Sequence, residues 1–239
     1  MSRVRRISPL LLAVAVGASF LLAGCGPSGA AAPASTPSTS DTPSPTPSAT
    51  AEPHAPDVSE LVLTPDGMGT LVIGEAPSTE PALKMLDIDP AACSDERTGF
   101  GAGVAPGDPQ AIRWVPIPAY NSADGYPRWS VDVHDGILMR IDLHDDSVPT
   151  DKGIRIGDDG AAALAAYPDA AVVEEWATDV LVVPGLHGVL HIEIAHDPDG
   201  DMAGYWGDLL GKVVFIRTVD LEGGVFTVAA SENIAGGCL

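Results

Sequence analysis

From Gly26 to Asp57 the chain is Pro, Ser, Thr and Ala with almost no large apolar side chain; Ser44-Pro45-Thr46-Pro47-Ser48 is representative. Such a segment cannot bury enough surface to offset its conformational entropy, so it is expected to stay disordered. Proline density favours a semi-extended form, up to about 3.1 Å per residue in polyproline II geometry. The segment reads as a spacer, and its Ser/Thr-Pro stretches suit O-glycosylation. Whatever folds must be built from Val58 to Leu239, a length sufficient for one domain with a substantial core.

A spacer implies something to be spaced from. Arg3, Arg5 and Arg6 form a positive start, and Leu10 to Leu22 is apolar or small without charge. That run falls short of the about 20 apolar residues a membrane-spanning helix needs. It fits the apolar region of a secretory signal, about 7–15 residues long. It ends in Leu22-Ala23-Gly24-Cys25, which resembles the lipobox of bacterial lipoproteins at all four positions. The resemblance implies that residues 1–24 are a cleaved signal peptide. It also implies that Cys25 becomes the lipidated N-terminus of a stalk over residues 25–57. Two acyl chains, of the palmitate kind, suffice for stable anchoring. The expected location is the extracytoplasmic face of the cell membrane. Arg5-Arg6 suggests twin-arginine export, but Ile7, Ser8 and Pro9 fit that motif poorly, which favours the general secretory route. Richness in Ala, Gly, Asp and Pro with few Lys points to a high-GC genome and, with the lipobox, to a lipoprotein of actinobacterial type.

Charge narrows the partners. Twelve basic residues stand against 33 acidic, a net charge of −21, and three of the twelve lie in the leader. The mature chain is therefore more acidic still. This argues against nucleic acid and against docking to anionic headgroups through the protein surface. It permits a cationic partner or divalent cations. Beyond Cys25 only Cys93 and Cys238 remain. In an oxidising compartment a lone pair is expected to bridge, which would tie the C-terminal tail to the first half. The alternative is two buried free thiols.

Hydrophobic patterning gives an α+β reading with a weak internal duplication, residues 58–149 and 150–239. Leu71-Val72-Ile73-Gly74 precedes a helical pattern over Pro81 to Leu86, with Ser78 or Thr79 as cap. Ile154-Arg155-Ile156-Gly157 precedes another over Ala161 to Tyr167, with Asp158 or Asp159 as cap. Strands follow. Trp129, Val131 and Val133 alternate with Ser130, Asp132 and His134. Asp135-Gly136 signals a hairpin, and Ile137, Met139, Ile141 and Leu143 then alternate with Leu138, Arg140, Asp142 and His144. The second half offers strands at Val180 to Val183, Val189 to Ala195, Lys212 to Val219 and Val225 to Ala230, with a turn at Pro184-Gly185 to Gly188. Each half thus reads as short strand, Gly, short helix, antiparallel strands. On the two apolar-x-Ile-Gly segments and the helical starts after them, this resembles the tandem-repeat β-lactamase-inhibitor-protein-like and SmpA/OmlA-like folds. The resemblance implies a helical element packed on an antiparallel sheet and binding to other proteins. The Gly/Pro-rich insertion Thr98 to Pro109 departs from it, and no functional residue carries over.

Catalytic motifs are missing. No Ser sits in a G-x-S-x-G elbow, no H-E-x-x-H occurs, and Gly99-Phe100-Gly101-Ala102-Gly103 follows no strand and opens no helix. His187, His191 and Glu193 share strand parity and would form a metal triad on one sheet face, although the turn through Gly188 takes His187 off the strand. His134, His144 and His196 each precede an Asp, which reads as turn chemistry. The sharpest chemical candidate is Asp197-Pro198-Asp199-Gly200-Asp201, with Asp208 at the twelfth position of an EF-hand-like register. Alternate carboxylates suit Ca²⁺, but Met202 stands where that register wants Gly. Acidic turns are also common without metal. Trp176, Tyr205 and Trp206 read either as interface anchors or as core.

The sequence therefore leads to a lipid-anchored extracytoplasmic domain, 58–239, that is a non-enzymatic protein-binding or inhibitory module needing no cofactor. The alternatives are a Ca²⁺-dependent binding module using Asp197, Asp199, Asp201 and Asp208, and a hydrolase assembled from distant carboxylates.

Overall fold

A computed structural model describes residues 4–5 and 54–239, apart from 100, 201, 202, 232 and 239. It holds antiparallel sheets with a few short helices, an α+β arrangement. Strands β1 (Val4–Arg5), β7 (Trp129–His134), β8 (Ile137–Leu143), β9 (Ala171–Glu174), β10 (Thr178–Pro184), β11 (Gly188–Ala195) and β12 (Val213–Asp220) make one sheet. Its order is β1-β9-β10-β11-β12-β8-β7, antiparallel throughout. Two smaller pieces flank it: β2 (Leu63–Thr64), β3 (Gly67–Met68) and β4 (Leu71–Val72), and the pair β5 (Leu86–Asp89) with β6 (Arg113–Pro116). Helices are short: α1 (Asp95–Thr98), α2 (Gly160–Ala166) and α3 (Ala203–Trp206). The two residues of β1 pair with β9, the next strand in the sheet order.

The hairpin β7–β8 forms as its chemistry dictates. Asp135 and Gly136 sit at φ 51° and 80°, the left-handed pair that a two-residue turn matching strand twist requires. Trp129, Val131, Ile141 and Leu143 face the core, as their alternation predicts. The pattern breaks at one place. Register slips between Asp132 and Val133, where Met139 is the extra residue on β8. The slip reverses parity, so Leu138 is fully buried while Ile137 and Met139 are half-buried. Simple alternation places Leu138 on the outer face.

The core lies between one face of the large sheet and the segments before it. Leu190, Ile192, Leu181 and Ile216 meet Leu61, Leu63, Met68, Leu71, Ile73, Met85 and Leu86. Two polar ties fix the small sheet on this face. Thr218 Oγ1 donates to Pro65 C=O at 2.6 Å, and Asp66 Oδ1 accepts from His187 N–H at 2.5 Å. That backbone donor holds the Asp66 carboxyl below the ordinary carboxylate range.

Several local expectations are overturned. Pro81 to Leu86 is a turn running into β5, and Ser78 Oγ only accepts from Glu80 N–H. Six residues offered too little helical length to make a stable helix. Ile154 to Gly157 is irregular, whereas its counterpart Leu71-Val72 is a strand. The second helix forms over Gly160–Ala166 with Asp159 as N-cap residue, but the Asp159 carboxylate bonds Lys212 Nζ at 2.6 Å instead of capping. Its first residue must be glycine for packing: a Cβ on Gly160 would stand 2.4 Å from Ile194 Cγ2 and 2.8 Å from Gly211 O. Val225 to Ala230 is not a strand. It begins a C-terminal strap, 224–238, laid over the far face of the sheet.

Candidate functional site: an ionic layer under a strap, and an apolar groove

The far face carries the charged residues that alternate with the core positions of β8, β11 and β12. Arg217 pairs in register with Asp142 on one side and with His191 on the other. Arg140 and Glu193 stand two residues along. Asp142, Glu193 and Arg217 are completely buried, with His191 and Arg140 nearly so. Left alone, such a layer would cost several kcal/mol per ion in desolvation. Here every carboxylate is paired and then saturated by the strap.

Arg140 grips Asp142 through two parallel bonds, Nε to Oδ1 at 2.7 Å and Nη2 to Oδ2 at 2.6 Å. The same Nη2 donates to Asn233 C=O at 2.8 Å, and Ala235 N–H donates to Asp142 Oδ2 at 2.8 Å. Arg217 Nη1 bonds Glu193 Oε1, and Arg217 Nη2 donates to Phe226 C=O at 2.6 Å. Glu193 also accepts Val228 N–H at 2.9 and 3.0 Å and Ala229 N–H at 3.1 Å. The Phe226 ring lies against both guanidiniums, 4.7 Å from Arg217 and 5.7 Å from Arg140. Among the described residues the strap has no strand partner; buried charged side chains instead take the Val228, Ala229 and Ala235 N–H and the Phe226 and Asn233 C=O. Cys93 and Cys238 form the expected disulfide, with Cα atoms 5.3 Å apart and 145 residues between them. It pins the end of the strap to the first half.

This layer answers two sequence expectations. His191 and Glu193 do share a face, but His187 lies exposed in the turn, its N–H on Asp66. His191 is buried beside two arginines. Burial and then the Arg217 and Arg140 charges push it down to about 3, so it is neutral at ordinary pH. Its Nδ1 has no partner among the described residues. The two buried carboxylates, Asp142 and Glu193, are each held by an arginine and by strap N–H donors. Burial also lowers the Arg217 guanidinium, Glu193 opposing it.

The acidic turn is placed differently. Asp197 is half-buried, Asp199 and Asp208 are exposed, and Asp201 lies outside the described residues. Among the described residues no group of three or more His, Cys, Asp or Glu is arranged to hold a metal ion. Asp208 sits in a single 3-10 turn after α3. Of the other turn histidines, His144 Nε2 meets Ser130 Oγ at 2.9 Å and His196 Nδ1 meets Asp179 at 2.9 Å. Asp145 does accept from Ser147 N–H, closing the expected side-chain turn. Cys25 lies outside the described residues.

The aromatic candidates divide. Trp206 is core, donating Nε1 to Ala177 C=O at 3.1 Å and packing with Ala177 and Ala195. Tyr205 and Trp176 are each 59% exposed, and Leu209 and Leu210 are 50% and 46% exposed. Tyr205 stacks edge-on against Trp206, 4.7 Å between centroids. Beside them a groove of about 340 Å³ is lined by Ile156, Tyr205, Trp206, Leu209, Val213 and Val214. Asp199 and Asp208 flank this apolar surface in sequence. Family models, curated proteins and solved structures show no match to this chain.

Proposed function

We propose that the chain is a lipid-anchored extracytoplasmic protein-binding or inhibitory module and not an enzyme. The observation that carries this reading is the contrast between its two polar-apolar surfaces. Buried ionisable groups of the far face are engaged in holding the strap. Apolar surface is instead exposed at Tyr205, Leu209 and Leu210, the first two lining a groove whose neighbours in the chain are acidic. Aromatic and aliphatic anchors at a groove are what interfaces use. The acidic setting favours a partner with basic residues around an apolar anchor. The leader and Cys25 would hold this surface outside the membrane on the Pro/Ser/Thr-rich stalk.

A photo-crosslinking residue at Tyr205, in the chain expressed in its native envelope, tests the reading. The expected result is one reproducible adduct that Leu209→Asp abolishes. Persistent absence of an adduct, or an adduct indifferent to Leu209→Asp, contradicts it. Palmitate labelling lost in Cys25→Ser would support the anchor, and labelling retained in that variant would remove it.

A further inference from the structure

The C-terminal strap walls a cavity at the β6 and β7 end of the molecule. β6 packs against β7, and Gly236 sits so close on Val131 C=O that a Cβ there would stand 3.0 Å from it. The floor is therefore closed. Beside it lies a cavity of about 600 Å³, bounded by Ile112, Trp114, Asp132, Arg140 and the strap from Asn233 to Cys238. The strap wall is held at four points. Arg140 Nη2 donates to Asn233 C=O, and Ala235 N–H donates to Asp142. Arg113 Nε and Nη2 reach Gly237 C=O at 3.4 and 3.3 Å, and Cys238 is bridged to Cys93. A wall so fixed makes a cavity that exists before any ligand arrives, as small-molecule sites generally do.

Two opposite charges line this cavity without being spent on each other. Asp132 and Arg140 face one another across the β7–β8 pair, yet Arg140 gives its two parallel bonds to Asp142. The Arg140 side chain is nine-tenths buried, and its Nη1 has no hydrogen-bond partner among the described residues. Asp132 is exposed. Apolar surface lies in the same cavity: Ile112 and Ile234 are 37% and 41% exposed, and Trp114 is half-buried. A cationic ligand would leave Arg140 Nη1 unmet, and an anionic one would meet Asp132 in a chain of net charge −21. A molecule with both charges beside an apolar body meets all three features. Directly opposed residues on adjacent strands have Cβ atoms about 4.5–5.5 Å apart, a spacing that suits a carboxylate and an ammonium on one carbon.

We infer that this cavity binds an α-amino acid with a large apolar side chain. Its carboxylate lies on Arg140 Nη1, its ammonium on Asp132, and its side chain against Ile112, Trp114 and Ile234. The charge-assisted bonds fix orientation, and the apolar walls supply burial. The groove near Tyr205 is a separate surface, so either proposal can fail without the other.

The test is titration of the isotope-labelled full chain, in mild detergent, with L-phenylalanine and L-leucine, read by amide chemical shifts. N-acetyl-L-phenylalanine, which lacks the ammonium, and L-phenylalaninamide, which lacks the carboxylate, are titrated alongside. The expected result is saturable shifts with L-phenylalanine, confined to residues around 112–114, 131–133 and 233–238. Each analogue should bind about tenfold more weakly or worse, the cost of one charge-assisted bond. Asp132→Asn should weaken L-phenylalanine by about the same factor and should not weaken N-acetyl-L-phenylalanine. Ile234→Asp should abolish the shifts, with melting curves confirming that both variants fold. No saturable shift with either amino acid, or saturable shifts only at other positions, would overturn the site. Analogues that bind as tightly as L-phenylalanine, or binding indifferent to Asp132→Asn, would overturn the assignment of a doubly charged ligand. Crosslinking at Tyr205 should be unaffected by Ile234→Asp.

Discussion

Replacing Glu193 by Gln keeps the shape of the side chain and one carbonyl oxygen but removes its charge. Arg217, fully buried, then has no countercharge in contact, and one of the two oxygens that receive strap N–H groups becomes a donor facing the Val228 and Ala229 amides. Breaking one side of a buried pair costs about 3–5 kcal/mol, because the remaining charge is left desolvated. For a domain of this length each kcal/mol moves the melting temperature about 2–4 °C, so a fall of roughly 6–20 °C is expected. Thermal and urea unfolding measure it. Adding Arg217→Met should recover much of the loss, since removing both charges of a buried pair is far less damaging than removing one. The resulting coupling of about 2 kcal/mol or more is the signature of a direct ion pair. A Glu193→Gln protein within about 1 kcal/mol of wild type, or a double variant as damaged as the sum of the singles, would refute the reasoning.

Cys238→Ser opens a bridge between residues 145 apart in sequence. The loop-entropy model sets a ceiling of about 5 kcal/mol, so a loss of roughly 2–5 is expected in the melt, and reductant should affect wild type but not the variant. Gly160→Ala places a methyl 2.4 Å from Ile194 Cγ2; urea titration should show about 1–3 kcal/mol of destabilisation from overpacking. His191 is held neutral down to about 3, against an ordinary value of 6.5. Between these values the unfolded chain takes a proton that the folded chain refuses, so its contribution to stability falls as pH drops from 6.5 towards 3. The slope is up to about 1.4 kcal/mol per pH unit. His191→Leu should flatten that part of the stability curve, and an unchanged acid limb would exclude the burial argument.

How far these features were legible depends on periodicity. The β7–β8 hairpin and strands β10, β11 and β12 are long enough for alternation to speak, and Asp135-Gly136 supplies a turn with its own chemistry. β2, β3 and β4, of two residues each, show no period, and β5 (Leu86–Asp89) begins at the last residue of a six-residue run that mimics a helix. The ionic layer was visible in part: Arg140 and Asp142 alternate with Ile141 and Leu143. A polar face beside an apolar one reads as solvent-facing, and nothing local announces that a strap covers it. Val225 to Ala230 has strand composition, yet Glu193 and Arg217, remote in sequence, take the Val228 and Ala229 N–H and the Phe226 C=O, groups that a ladder would need. Aperiodic closure of this kind is written in long-range contacts alone. Asp197, Asp199 and Asp208 were legible as an acidic turn, and Trp176 and Tyr205 as aromatic, but exposure decided which could serve a partner.

Residue-resolved amide hydrogen exchange on the wild-type chain tests most directly whether the far face is a structural layer clasping the strap. The account predicts that Val228, Ala229 and Ala235, bonded to buried carboxylates, exchange as slowly as the amides of β11 and β12. Exchange at these three positions at the rate of an open loop, with β11 and β12 protected, would mean that the strap is not held by Glu193 and Asp142. The ionic face would then be accessible to solvent and ligand, and the non-enzymatic reading would lose its support.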